Sequence, residues 1–213
     1  MLSADEKPAQ KEVKPEVYTY KKDHDPNGIG KFYMGREIAH VMSFHGINWL
    51  ERANREEEER LSLMIKALQL KPGMVVADIG AGEGYYTVRL AKRVGEDGRV
   101  LAQDIDEGAL ERLGNRVEKE RFDNVSIKLG EGDDPRLPEN SFDRIFLVHM
   151  YHEVREPYAF LHRLWPALKE GGQVIVVDVD RPTDQHGIDP LLLSCEFREV
   201  GFELVTFKDR PEL

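Results

Sequence analysis

The residues best placed to do chemistry in this chain begin with a glycine turn. Gly80, Gly82 and Gly84 follow the apolar run 75–79, and apolar residues at helical intervals over 86–94 predict a helix directly after them. Glycine tolerates positive φ and has no Cβ, so the backbone can turn sharply and approach a ligand beside a helix N-terminus. This order suits a nucleotide-like ligand, although the spacing departs by one residue from the G-x-G-x-x-G fingerprint.

Acidic residues close the predicted strands on either side of this turn. Asp78 precedes the glycines, Asp104 ends the next strand, and Asp133 lies in the loop after the third. Asp104 comes about 20 residues after the turn, where a carboxylate can accept hydrogen bonds from ribose hydroxyls. A helix N-cap is the competing interpretation of Asp104.

Two histidines follow the fourth predicted strand. His152 is the best candidate for a general base because the pKa of histidine is close to working pH, and His149 is the second candidate. Tyr151 and Glu153 can orient either histidine or line an acceptor pocket. A histidine satisfied by hydrogen bonds in a capping loop is the alternative. No metal site is predicted, because no further ligands occur at recognisable spacing.

The elements that must position these residues alternate between strands and helices beyond Gly73. Such alternation predicts an α/β fold, a Rossmann-like doubly wound and mostly parallel sheet flanked by helices, with a shortened C-terminal end. The predicted strands are Val75 to Ile79, Arg99 to Gln103, Val125 to Leu129, Arg144 to His149, Gln173 to Asp178 and Phe202 to Phe207. The predicted helices cover 86–94, 107–121, 157–169 and 189–200.

The N-terminal third differs in composition from this region. Residues 1–30 are rich in charge and proline and predict a flexible arm, whereas 31–70 predict a helical extension. Tyr33, Arg36 and His40 share one side of its first helix and are candidates to contact an acceptor from a lid. A helix that merely covers the sheet is the alternative.

Composition bounds the function. The 213 residues carry a net charge of -10, which opposes a broad surface for nucleic acid and favours a small-molecule substrate. No apolar run approaches the roughly 20 residues of a membrane helix, and the N-terminus lacks a signal-peptide core. We therefore expect a soluble, cytoplasmic protein without membrane association, with an exported mature form left open.

Four segments in order resemble one family. From roughly Lys71 to Phe207 the chain is similar to class I S-adenosylmethionine-dependent methyltransferases, and the stretch 33–40 resembles a little-characterised bacterial branch of them. The matching segments are VVADIGAGEG (75–84), VLAQDID (100–106), DDPRLPENSFD (133–143) and LKEGGQV (168–174).

The resemblance implies S-adenosyl-L-methionine as cofactor. Gly80 and Gly82 would lie against its methionine part, next to Gly84, with Asp78 orienting the loop. Asp104 would bind the ribose hydroxyls, with Asp106 as an alternative.

The same resemblance places the adenine in the loop after the third strand. Asp133 would accept from the exocyclic amine, and the backbone of Asp134 would meet the ring edge.

The expected function is methyl transfer to an unidentified small-molecule acceptor. A nicotinamide-dependent oxidoreductase and a non-catalytic protein that binds S-adenosylmethionine are the alternatives. The family's sheet normally contains a further antiparallel strand, and the chain stops at Leu213 with little room for it. An uncovered edge strand invites pairing, so a homodimer through that edge or through the N-terminal segment is a further expectation.

Overall fold

The computed structural model describes residues 2–3, 17–41, 65 and 68–209. The strands of its main sheet are β1 Leu2–Ser3, β5 Val75–Ile79, β6 Arg99–Asp104, β7 Val125–Leu129, β8 Phe142–Val148, β9 Leu168–Val177 and β10 Glu203–Leu204. They lie in the order β10-β1-β9-β8-β5-β6-β7, in which β9, β8, β5, β6 and β7 are parallel. β5 is the middle strand of the five parallel strands, so the glycine turn leaves the middle of the parallel part of the sheet. The α/β fold predicted from the sequence is confirmed.

Four α-helices occur among the described residues. They are α1 Thr87–Val94, α2 Glu107–Glu120, α3 Pro157–Leu164 and α4 Pro190–Glu199. The third helix begins at residue 157 as predicted, but its predicted end at 169 was wrong: a short 3-10 turn, Trp165–Ala167, follows α3, and β9 already begins at Leu168. Leu168 pairs with Phe142 of β8, so from this residue onward the chain belongs to the sheet and not to the helix.

The central strands β5 and β8 are mostly buried on both faces, which accounts for their apolar sequences, whereas the edge strand β7 is partly exposed. On one face, Ala77 and Ile79 belong to a core that includes residues of α3 and α4. On the other face, Val76 packs in a cluster with residues of α1. Among the described residues, no helix is long and apolar enough to cross a bilayer.

Over residues 31–41 the N-terminal extension is not helical. Three antiparallel strands, β2 Tyr18–Tyr20, β3 Gly28–Tyr33 and β4 Arg36–Ala39, form a separate small sheet. The turn between β3 and β4 consists of Met34 and Gly35, both with positive φ, 50° and 91°. A two-residue turn of this kind matches the twist of a hairpin, and the helical spacing of Tyr33, Arg36 and His40 is coincidental.

These strands also correct the prediction of a flexible arm over 1–30, as far as residues 17–30 are concerned. The second predicted helix of the extension lies mostly outside the described residues. Leu68 and Leu70, at its predicted end, are buried in the core beside α1.

The C-terminal edge of the sheet is filled from the other end of the chain. Leu2–Ser3 pairs antiparallel with β9 on one side and with β10 on the other. An antiparallel strand therefore lies between β9 and β10, and it comes from a short N-terminal segment. The edge of β9 is covered within the chain, which removes the sequence-based reason for a homodimer there; a homodimer stays a prediction.

Candidate active site

The glycine turn after β5 has the backbone conformation that its sequence predicts. Gly80, Gly82 and Gly84 have φ values of 69°, 54° and 82°. A Cβ at Gly80 would lie 2.9 Å from the Met150 side chain, and one at Gly84 would lie 2.1 Å from Leu113. A Cβ at Gly82 would meet no described atom within 4 Å, so the turn has close packing at its two ends and open space at its centre.

Asp104 ties this turn to the end of β6. Its carboxylate accepts a hydrogen bond from the Gly82 amide at 2.8 Å and others from the amides of Ile105, at 2.7 Å, and Asp106, at 3.0 Å. The N-cap of α2 is Asp106, which accepts from the Ala109 amide at 2.6 Å. The capping interpretation therefore applies to Asp106, and the Asp104 carboxylate stands at the open part of the turn.

Asp78 lies buried beneath the turn. Its carboxylate accepts a hydrogen bond from the Thr87 hydroxyl of α1 at 2.6 Å. Burial, together with the charge of Asp104, raises the pKa of Asp78 to about 7, although the Thr87 hydrogen bond acts in the opposite direction. This position fits the predicted role of orienting the loop.

The predicted adenine loop is partly exposed. Arg163 donates to both the carboxylate and the carbonyl oxygen of Asp133. The Asp134 amide donates to the Glu131 carbonyl at 3.2 Å. The contacts of Asp133 and Asp134 with an adenine ring stay predictions.

On the other half of the same sheet edge, Asp178 holds His152. The side chains of both residues are 3% exposed, and His152 Nδ1 lies 2.9 and 3.0 Å from the two Asp178 carboxylate oxygens. His152 Nε2 is buried and has no hydrogen-bond partner among the described residues. Asp178 thus sets the orientation of the ring and directs Nε2 away from β9.

The charge state of His152 bears on its predicted role. Burial lowers the pKa of this imidazole, but the hydrogen bond to Asp178 and the attraction to the carboxylates of Asp178 and Glu153 outweigh burial and raise it to about 9. Such a histidine holds its proton at neutral pH, so these surroundings do not favour a general base. His149 is exposed and has a positive φ of 52°, and its catalytic role also stays a prediction.

Arg36 of the small sheet supports the loop that carries His152. Its guanidinium donates to the Glu196 carboxylate twice, at 2.6 and 2.9 Å, and to the His152 carbonyl at 3.1 Å. The Tyr151 hydroxyl donates to the same carboxylate at 2.8 Å. Arg36 and Tyr151 are buried, and both donate hydrogen bonds to the Glu196 carboxylate. We therefore propose that they position the loop rather than contact an acceptor.

The structure separates the other predicted acceptor residues. Tyr33 is 1% exposed, and its ring packs 5.5 Å from that of Tyr18. His40 is exposed at the end of the described hairpin. Glu153 lies beside His152, with an oxygen 3.7 Å from Nε2.

Two residues central to this half of the site were missed in the sequence. Asp178 is the residue that follows β9, so the rule used for Asp104 would have identified it as a polar residue at a strand end. Glu196 carries no such signal, because it lies within α4 at a position that reads as part of an ordinary charged helix.

The residues present fit an adenosylmethionine-type ligand. Gly82 leaves space at the centre of the turn, and the Asp104 carboxylate beside it can accept from ribose hydroxyls. Met150 packs against Gly80, which places the loop after β8 directly beside the turn. We name the glycine turn with Asp104 the donor edge, and the residues His152, Glu153 and Asp178 the acceptor edge.

Comparisons with known proteins agree with this geometry. A family profile described as a methyltransferase domain matches residues 70–199. A ubiquinone/menaquinone biosynthesis C-methyltransferase from Hydrogenovibrio crunogenus is 31% identical over 115 residues, which are 54% of this chain and 45% of the relative. The enzyme of the same description from Shewanella sp. (strain ANA-3) is 30% identical over 145 residues, 67% of this chain and 53% of the relative.

A solved structure extends the agreement to the fold. The crystal structure of an S-adenosylmethionine-dependent methyltransferase from Aquifex aeolicus superposes with a TM-score of 0.69 at 28% identity, covering 76% of this chain and 89% of that one. The chain spans about half the length of the curated relatives it matches. The glycine turn, the aspartate at the end of β6, the family profile and the fold all agree. The chain belongs to the class I S-adenosylmethionine-dependent methyltransferases.

Proposed function

We propose that this chain transfers a methyl group from S-adenosylmethionine to a small hydroxylated ring of the quinol type. The observation that carries the proposal is the donor edge, where Asp104 binds the amide of Gly82 beside an open turn. The acceptor class is taken from the relatives, which are described as C-methyltransferases of ubiquinone and menaquinone biosynthesis.

The sulfonium cofactor supplies an electrophilic methyl group. The chain's own residues have to hold donor and acceptor in line, because positioning provides most of the rate in such a displacement. A carbon of the acceptor forms the new bond while the carbon–sulfur bond breaks, its electron pair stays on sulfur, and the ring then loses a proton. Asp104 and Gly82 fix the donor, and His152 is the group proposed to contact the acceptor oxygen.

The acceptor edge supports an ionisable oxygen rather than a purely apolar ligand. His152 Nε2 is a buried polar atom with no hydrogen-bond partner among the described residues, and such atoms are rare unless a ligand or water uses them. Asp178 fixes the direction of that atom from the opposite side of the ring.

The experiment is an assay of the purified chain with S-adenosylmethionine labelled in its methyl group. The panel contains quinols with a free ring carbon, among them demethylmenaquinol, together with catechols and small amines. We expect label on a ring carbon of the quinols. The matched control is Asp104→Ala, which at subsaturating S-adenosylmethionine should transfer label about 10- to 100-fold more slowly at the same protein concentration.

A different distribution of label would correct the acceptor class. Methylation of amines alone would overturn the quinol assignment and leave the donor assignment intact. Failure with every acceptor, in protein that still binds S-adenosylhomocysteine, would favour the non-catalytic binding protein instead.

A further inference from the structure

Two buried imidazole nitrogens converge on one carboxylate at the acceptor edge. Glu153 Oε1 lies 3.7 Å from His152 Nε2 and 3.3 Å from His186 Nδ1. Neither nitrogen makes a hydrogen bond among the described residues. Buried polar atoms are normally satisfied, so this group of three needs an explanation.

The spacing of the group is that of a metal site. One ligand atom from each of His152, Glu153 and His186 lies within 4.8 Å of the others. A tetrahedral zinc ion with bonds of about 2.0–2.1 Å requires ligand atoms about 3.3–3.4 Å apart. The two measured separations from Glu153 are 3.7 and 3.3 Å, so small side-chain adjustments would suffice.

The surroundings hold these ligands in orientation. Asp178 binds Nδ1 of His152, and a carboxylate behind a histidine is the usual outer partner of a metal-bound imidazole. His186 follows the short 3-10 turn Thr183–Gln185, in which the Thr183 hydroxyl donates to the Glu37 carbonyl of β4 at 2.7 Å. The small sheet therefore fixes the segment that brings His186 to the loop after β8.

We propose that His152, Glu153 and His186 bind a divalent cation of the zinc type. Two imidazoles and one carboxylate are a ligand set found in catalytic zinc sites, and three protein ligands leave a fourth position open. The sequence predicts no metal site because the third ligand, His186, lies 33 positions beyond Glu153 and comes close to the other two only in the folded chain.

The open position would face ligands at the carboxyl end of the sheet. With His152 Nε2 bound to the cation, the acceptor oxygen would bind the cation instead of that nitrogen, and the cation, as a Lewis acid, would favour the deprotonated oxygen. That role rests on the proposed methyl transfer, whereas metal binding itself does not.

Metal content tests the site directly. The full chain, prepared without a histidine tag, is stripped with chelator, equilibrated with Zn²⁺ and assayed by elemental analysis, and a parallel Co²⁺ titration is followed by visible absorption. We expect one equivalent of Zn²⁺ and a Co²⁺ spectrum of low coordination number. The variants His186→Ala and Glu153→Gln should lose affinity by about 100-fold or more, and Asp178→Asn by about 10- to 100-fold, as outer-partner changes do.

The control is His24→Ala, which removes a histidine that is distant in sequence from the three ligands. This variant should still bind one equivalent of Zn²⁺.

Thermal unfolding and S-adenosylhomocysteine binding are measured for each variant to identify any that fails to fold. Glu153→Gln retains the shape of the side chain and decides the question if His186→Ala does not fold. Wild-type protein without bound Zn²⁺, or Zn²⁺ bound equally by wild type and Glu153→Gln, would overturn the proposal. In that case the three residues are an ion-pair cluster. Because S-adenosylhomocysteine is measured separately, failure here is distinct from failure of the methyltransferase assignment.

Discussion

The donor edge and the acceptor edge lie side by side on one sheet but are built in opposite ways. The donor edge uses residues of two consecutive strand ends, with Asp104 only 22 positions from Gly82. The acceptor edge depends on Arg36, which reaches Glu196 across 160 positions. A local segment can thus specify a cofactor site by itself, whereas the acceptor site exists only after the whole chain has folded.

The largest expected effect tests the long-range support of the acceptor edge. Arg36→Met leaves Glu196 buried with an unpaired charge, and breaking a buried pair costs about 3–5 kcal/mol. The double variant Arg36→Met/Glu196→Gln removes both charges and keeps an acceptor for Tyr151, so it should recover at least half of that loss. Urea unfolding at constant pH measures both.

The matched control for this pair lies on the surface. Lys92 is 3.7 Å from Glu120 with a side chain 65% exposed, and Lys92→Met should change the free energy of unfolding by less than about 1 kcal/mol. Equal effects of Arg36→Met and Lys92→Met would mean that the small sheet does not support the site.

The second effect tests the donor edge through two neighbouring aspartates. Asp104→Ala should weaken S-adenosylhomocysteine binding by about 10- to 100-fold, because hydrogen bonds to a charged group are worth about 1.5–3 kcal/mol. Asp106→Ala removes an N-cap and should cost about 1 kcal/mol of stability with little loss of affinity. The reverse result would transfer the ribose contact to Asp106.

The smallest effect concerns the pH dependence of stability beneath the glycine turn. Because the pKa of Asp78 is about 7 in the fold and about 4 in an unfolded chain, the fold binds the extra proton between these values. Its contribution to stability therefore falls as pH rises, by about 1 kcal/mol between pH 6 and pH 7, and levels off above the folded pKa.

Asp78→Asn isolates this contribution, since the amide does not titrate. Denaturant titrations of both proteins at pH 6 and pH 7 give the difference. A wild type whose stability stays constant relative to Asp78→Asn over this interval would show that Asp78 is already ionised in the fold at pH 6.

The comparison of the two edges also explains what the sequence could and could not predict. Gly80, Gly82 and Asp104 belong to short segments whose residue types favour one backbone path, so the strand and the turn were predictable, whereas the hydrogen bond between Asp104 and the Gly82 amide was not predicted. Tyr33 and Arg36 were assigned to a helix because their spacing fits its period; the Met34-Gly35 turn, a hairpin signal between them, was the better guide. His186 and Glu196 become functional candidates only through contacts that no local pattern encodes.

The covered sheet edge shows the same limit. The shortness of the C-terminal region was visible in the sequence, and an unpaired edge was the natural expectation. Nothing local indicated that Leu2–Ser3 pairs with β9 and β10, because two residues carry no strand pattern.

Calorimetric titration of the purified chain with S-adenosylhomocysteine and, separately, with NAD tests the cofactor specificity of the donor edge. We expect one molecule of S-adenosylhomocysteine to bind per chain with a dissociation constant of about micromolar order, equivalent to about 8 kcal/mol, and we expect no heat from NAD. Tight binding of NAD with no response to S-adenosylhomocysteine would contradict the assignment of the donor edge.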